Sequence, residues 1–130
     1  MNTALLSLAL RILGPCPDAK PIAEAIALAV DRENAPVTTS RELDVALLAV
    51  YARHESSGEL APAPISWDAR AGVSCGPWQM RCVLVSGKPA SWQAALWLDL
   101  VRRGGLTMVD SSRKRSLERY REAERAVGGS

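Results

Sequence analysis

The spacing of apolar residues along this chain is mainly that of amphipathic helices. Apolar residues recur three and four positions apart in five segments, which is the period of a helix that buries one face. Proline and glycine fall between these segments and interrupt the pattern. The five predicted helices cover residues 3–13, 18–31, 39–57, 89–103 and 112–127.

The third predicted helix has the clearest boundaries. Thr39 and Glu42 have the spacing of a capping box, in which a hydroxyl and a later carboxylate bond the free N–H groups of the first turn. Gly58 is well placed to end the helix. Glu55 falls in its last turn. The apolar stripe predicts that His54 is a core histidine, in line with Leu43, Leu47 and Val50.

Residues 59–88 do not continue the helical pattern. Six prolines and glycines break this stretch, at Pro62, Pro64, Gly72, Gly76, Pro77 and Gly87. Prolines and glycines at this density favour short β-segments or ordered loops over long helices. We therefore predict a mostly α fold with about five helices and a small β or loop lobe, forming one domain over residues 1–130.

The composition is that of a globular protein, with 48% hydrophobic and 23% charged residues. No apolar stretch approaches the ~20 residues that span a bilayer, so we expect no membrane span. The apolar start of the chain lacks a preceding positive charge and a convincing cleavage site, and we interpret it as the first helix rather than an export signal. We expect a monomer.

The net charge is +2, and the basic excess lies in residues 102–130. A basic segment could suit an anionic partner such as a wall polymer or a nucleic acid. The last predicted helix also carries acidic residues, which weaken a phosphate-binding face, so we expect no nucleic-acid partner and favour a solvated helix. These acidic residues are Glu118, Glu122 and Glu124.

The three cysteines match no zinc motif, and the chain has a single histidine. We therefore expect no metal and no cofactor. Cys75 and Cys82 flank the turn around Trp78 and could close it as a disulfide. Free buried thiols are the favoured alternative, because nothing else in the sequence indicates an oxidising compartment.

Glu55 is the candidate for chemistry. The end of a helix is the negative end of its dipole, and apolar neighbours such as Trp78 or Met80 would desolvate a carboxylate there. Both effects would raise the pKa of Glu55 and suit it to act as a general acid, whereas Arg53 or His54 turned inward would lower it. The alternative is a surface residue at a frayed helix end.

Glu55-Ser56 is followed further along the chain by Gly76-Pro77-Trp78-Gln79. These two segments resemble the Glu-Ser dipeptide and the Gly-Leu-Met-Gln segment of the goose-type lysozyme and soluble lytic transglycosylase superfamily. The stretch 117–120 is similar to the segment that carries the family's site tyrosine, here Tyr120. The chain departs from that segment at Arg121 and Ala123, where the family has Asn and Gly.

This resemblance implies a lysozyme-like (α+β) fold and cleavage of peptidoglycan glycan strands at the MurNAc-GlcNAc β-1,4 bond, with Glu55 as general acid. It implies substrate contacts from five residues: Ser57, Trp78, Gln79, Met80 and Tyr120. Gln79 could instead be a buried residue that hydrogen-bonds its turn to a neighbouring backbone group, and Tyr120 could be a core residue without a role in binding.

The reaction type is open from the sequence. Inverting hydrolysis needs a second carboxylate, for which Asp68 and Glu59 are candidates, although Asp68 could equally cap a turn. Transglycosylation needs Glu55 alone. Such an enzyme would work in the bacterial wall or periplasm, or be delivered by a phage. A catalytically inactive wall-binding or phage structural protein is the alternative.

Overall fold

The protein is described by a computed structural model that covers residues 2–60 and 72–128 and the backbone of residues 67–68. The described chain is mostly helical, which confirms the predicted mostly α content. No helix in these ranges is long and apolar enough to cross a bilayer. The helices are α1 (Thr3–Leu13), α2 (Ala19–Arg32), α3 (Arg41–Ser56), the single turn α4 (Cys82–Val85), α5 (Ala90–Gly104) and α6 (Arg113–Val127), with a 3₁₀ turn at Leu106–Met108.

Three short strands form the predicted small lobe. They are β1 (Trp67–Asp68), β2 (Gly72–Cys75) and β3 (Met80–Arg81), and β2 lies in the middle. Both pairings are antiparallel, with Trp67 opposite Val73 and Cys75 opposite Met80. The lobe thus occupies the proline- and glycine-rich region between α3 and α5, as its composition indicates.

Helix α3 is the centre of the core. Every residue from Leu43 to Ala52 is buried, so the helix is covered on all sides rather than along one stripe. It packs against α1, α2 and α6, and the Tyr51 ring lies 5.5 Å from the Trp97 ring of α5. Because the neighbours hold α3 along its length, the residues at its end have well-defined positions.

The start of α3 differs from the predicted capping box. Ser40, not Thr39, is the N-cap, and its hydroxyl accepts a hydrogen bond from the Leu43 N–H at 3.0 Å. Asp44 is fully buried and accepts hydrogen bonds from the Val37 and Thr38 N–H groups, each at 2.8 Å. The preceding loop is therefore fastened to the helix by Asp44.

His54 is not a core residue. Its side chain is 40% exposed, and its Nε2 lies 3.1 Å from Glu122 of α6. Arg53 forms an ion pair with the same carboxylate. The prediction of an inward His54 is wrong because α6 covers this side of α3 with polar side chains, which the helical period of α3 alone does not reveal.

Candidate active site

Glu55 lies in the last turn of α3, at a point fixed by contacts to the α1–α2 loop. Ser57 ends the helix in the left-handed conformation, with φ 56°. Gly58 follows with φ 71° and packs so closely on Cys16 that a Cβ there would lie 2.2 Å from the Cys16 Cβ. The Gly58 carbonyl also accepts a hydrogen bond from the Asp18 N–H at 3.1 Å. The helix end cannot shift without disturbing that loop.

The turn between β2 and β3 presents Gln79 beside this helix end. Gly76 has φ 83° and Gln79 has φ 49°, so both adopt left-handed backbone conformations. The Gly76 carbonyl accepts hydrogen bonds from the Gln79 backbone N–H at 3.1 Å and from its side-chain Nε2 at 3.0 Å. A left-handed non-glycine residue is uncommon, and such positions concentrate at functional sites.

A disulfide closes the base of the turn. Cys75 ends β2, Cys82 begins α4, and their Sγ atoms are bonded across a Cα–Cα distance of 5.2 Å. The favoured prediction of free thiols is therefore wrong for this pair. Cys16 is the free cysteine of the described chain, and burial raises the pKa of its thiol against a smaller opposing effect of Arg53.

Trp78 anchors the turn to the core. Its side chain is only 4% exposed, and its indole N–H donates a hydrogen bond to the Leu48 carbonyl at 2.9 Å. A buried ring of this kind cannot offer an open face to a sugar, although the residue reaches the wall of the cleft beside Glu55. Its main role is to hold the turn against α3.

A cleft of about 570 Å³ brings Glu55 together with Trp78, Gln79 and Met80. The rest of its wall comes largely from the segment that follows α5 and from the start of α6. That part of the wall includes Thr107, Met108, Val109, Asp110, Ser111 and Arg115. The cleft lies at the end of α3 and faces the β-lobe, which is where the sequence places the candidate site.

Glu55 forms an ion pair with Arg119 of α6. The Arg119 guanidinium donates to Glu55 Oε1, and the Arg119 and Glu55 side chains are 12% and 29% exposed. Arg119 also lies over the Tyr51 ring, 4.8 Å from its centre. Within the described residues, Glu55 Oε2 makes no hydrogen bond. The carboxylate is thus held through one oxygen, and the other has no partner in the part of the chain that the structure describes.

Asp110 is the second carboxylate in the cleft wall, and both of its oxygens are engaged. Oδ2 accepts from the Tyr51 hydroxyl at 2.8 Å. Oδ1 accepts from the Arg115 Nε at 3.0 Å and from the Ser112 N–H at 3.1 Å. The Asp110 side chain is 1% exposed. It therefore ties α3 to α6 and has no free oxygen to act on a substrate.

Burial and these bonds set the ionisation of the network. Burial alone would raise the pKa of Asp110, but the hydrogen bonds from Arg115, Ser112 and Tyr51 outweigh it and lower that pKa. Burial raises the pKa of Tyr51 far above its usual range, and the bond to Asp110 adds to the effect. The Asp110 bond likewise raises the pKa of Arg115. Asp110 is thus a buried carboxylate at neutral pH.

We expect Asp110→Asn to destabilise the protein by about 1–3 kcal/mol, because the buried acceptor loses its charge beside Arg115. Since the folded pKa lies below the ordinary value of 3.8, the wild type has this stability above that pH. The wild type loses it as the pH falls through the lower folded pKa. Urea unfolding at several pH values should show a shallower acid loss in the variant.

Asp99→Asn is the matched control for Asp110→Asn. Asp99 pairs with Arg103 at 2.9 Å, but the Asp99 and Arg103 side chains are 44% and 70% exposed. An exposed pair of this kind contributes little, so the control should lose less than about 0.5 kcal/mol. Equal losses in the two variants would contradict a structural role for Asp110.

Several residues predicted for the site lie elsewhere. Ser57 is exposed and serves as the cap of α3 rather than lining the cleft. Tyr120 lines a different groove, formed by α6 and the 3₁₀ turn. Glu59 is exposed and takes no part in the cleft wall. The backbone of Asp68 lies in β1, and its side chain is outside the described residues, so its role as second carboxylate stays a prediction.

Sequence reasoning missed Asp110, Arg115 and Arg119. The two arginines are four residues apart on α6 and so lie on one face of that helix. This spacing predicts that the two arginines form one cationic surface on the helix. Nothing in the sequence indicated which carboxylates they would meet.

The described chain contains no cluster of three histidine, cysteine or acidic side chains able to hold a metal ion. Comparisons of the sequence and the structure with protein-family models, curated proteins and solved structures gave no match.

Proposed function

We propose that the protein is a lysozyme-like glycosidase that cleaves the MurNAc-GlcNAc β-1,4 bond of peptidoglycan, with Glu55 as general acid. The observation that supports this best is the shared cleft of Glu55 and the 78–80 turn. A carboxylate at the end of a buried helix, facing a small antiparallel lobe, is the arrangement that the family resemblance implies. The enzyme would act in the bacterial wall or periplasm, or be delivered there by a phage.

The free oxygen of Glu55 would carry the proton. Arg119 occupies Oε1, so a Glu55 protonated on Oε2 keeps its hydrogen bond to Arg119 while Oε2 faces the leaving oxygen. General acid catalysis requires this kind of fixed orientation. Arg119 and Tyr51 therefore position the acid, and neither needs to touch the sugar.

Gln79 would contribute a hydrogen bond to the substrate. Its Nε2 is bonded to Gly76, while its Oε1 is buried and has no partner within the described residues. A buried acceptor without a donor is unfavourable. A modest rotation toward the cleft would let Oε1 accept from an acetamido N–H or a sugar hydroxyl.

The carboxylates of the described cleft favour transglycosylation. Asp110 has both oxygens bonded, which leaves Glu55 as the carboxylate available for reaction. One residue can then protonate the leaving oxygen and afterwards remove the proton of the muramyl 6-hydroxyl, closing an anhydro ring. Inverting hydrolysis would need Asp68 of β1 to activate a water molecule.

Digestion of purified peptidoglycan, followed by mass spectrometry, tests the proposal and the reaction type together. We expect products with 1,6-anhydromuramic ends. Reducing ends would indicate hydrolysis and a second carboxylate. Absence of any product, across walls with different peptide and acetylation patterns, would exclude the enzymatic proposal.

A non-catalytic wall-binding or phage structural protein is the second candidate. The Arg119–Glu55 ion pair favours it, because the pair gives the carboxylate a structural partner on α6. Such a protein would bind glycan strands in the cleft without cleaving them. Binding without products in the same digestion would support this candidate.

A further inference from the structure

A second groove of about 590 Å³ runs beside the cleft and is formed by the 3₁₀ turn and α6. The residues that matter in it are Leu106, Thr107, Arg113, Lys114, Leu117 and Tyr120. Thr107 also lines the cleft that contains Glu55. A ligand in the cleft could therefore extend over Thr107 into this second groove without leaving the protein surface.

The charges of the second groove are all positive. Arg113 and Lys114 are its charged residues, both are exposed, and neither forms an ion pair within the described chain. In the cleft wall, Arg115 is bonded to Asp110, and Arg81 is exposed and forms no ion pair within the described residues. The groove thus presents two adjacent cations without a carboxylate partner in the described chain and has no acidic residue in its wall, so it suits a ligand with free carboxylates.

The second groove also has apolar surface. Leu117 is 50% exposed, and the half-buried Leu106 and Tyr120 lie beside it. A sugar chain alone would make poor use of exposed leucine. A short peptide with small apolar side chains and free carboxylates would fit both parts of the groove.

We propose that the second groove binds the acidic peptide that is joined to the glycan strand in the cleft. The inference rests on the proposed function, since it requires a peptide-substituted glycan there. The muramyl lactyl group carries the peptide, and Thr107 lines both the cleft and the groove, so a strand bound in the cleft would have a continuous surface on which to place its peptide. Arg113 and Lys114 would bind its carboxylates, and Leu117 and Tyr120 its alanine methyl groups.

Equilibrium binding to two forms of one glycan tests this inference. Soluble strands with their peptides intact are compared with the same strands after an amidase has removed the peptides. Wild-type protein should bind the intact strands about tenfold more tightly, and added salt should reduce the difference. The double variant Arg113→Gln/Lys114→Gln should lose most of this preference while binding stripped strands like the wild type.

Arg121→Gln/Lys20→Gln is the matched control, because it removes two exposed cations outside both the cleft and the groove. It should keep the full preference. Circular dichroism verifies that both double variants are folded. Equal wild-type binding of the two strands, or an equal loss in the control, would overturn the inference.

The two proposals fail separately. Preferential binding of intact strands without cleavage would support the peptide groove and exclude the enzymatic function. Cleavage by a protein that binds both strands equally would support the enzymatic function and exclude the peptide groove. Tighter binding of DNA than of intact strands, lost in the groove variant, would assign these cations to nucleic acid and also overturn the inference.

Discussion

Glu55→Gln is expected to reduce glycan cleavage by about 10²–10⁴-fold, the usual contribution of a general acid. The amide keeps the shape of the side chain and can still accept the hydrogen bond from Arg119, but it has no proton to transfer. Release of soluble fragments from labelled peptidoglycan measures the rate. A variant with the wild-type rate would exclude Glu55 as the acid.

The fold should survive this change. The Glu55→Gln variant loses the charge of the ion pair with the largely buried Arg119, but its amide oxygen still accepts the hydrogen bond, so the free energy of unfolding should fall by about 1–2 kcal/mol at most. Glu124→Gln, an exposed carboxylate on α6 away from the cleft, is the control and should keep the full rate. If both variants lose activity and both are unfolded, the loss would be caused by reduced stability and not by removal of the general acid.

Trp78→Ala is expected to lower the free energy of unfolding by about 3–5 kcal/mol, the usual range for truncating a buried tryptophan. The ring is 4% exposed, and its N–H bond to the Leu48 carbonyl would also be lost. Because Trp78 holds the turn that carries Gln79, glycan affinity should fall as well. Urea unfolding and glycan titration measure the two effects.

Two further variants separate packing from sugar contact. Trp92→Ala removes a ring that is 40% exposed and lies under Lys88, and it should cost less than about 1 kcal/mol. Trp78→Phe fills most of the cavity and should recover most of the stability. If Trp78→Ala is fully stable yet fails to bind glycan, the ring would be a sugar-stacking surface after all.

The helical pattern identified most of the fold because each helix needs one apolar face, and proline and glycine mark where it stops. The family resemblance, rather than the helical pattern, singled out Glu55 and the turn around Gln79, and both line one cleft in the structure. The helical pattern misplaced His54 in the core. The surroundings of His54 depend on the helix that packs against α3 at this point, and α6 places Glu122 beside it. The pattern missed the Arg119 partner of Glu55 for the same reason, since the two residues are 64 positions apart in the chain.

The N-cap of α3 is a second feature that local sequence rules did not predict correctly. Thr39 and Ser40 are both suitable cap residues, and the sequence offers no means of choosing between them. Asp44 favours Ser40 as the cap. Its buried carboxylate accepts hydrogen bonds from the Thr38 N–H and hydroxyl, and the helix then starts after Ser40. A contact inside the loop thus shifts the helix boundary by one residue.

The separation of Glu55 from Arg119 has a consequence for biosynthesis. A ribosome that has just added Glu55 must add 64 more residues before Arg119 exists, and Asp110 and Arg115 also come late. Until α6 has been made and has docked, Glu55 and Tyr51 lack the partners that orient them. A nascent or prematurely terminated chain therefore has a disassembled site, and, on the proposed function, its unfinished copies would not cleave wall polymer.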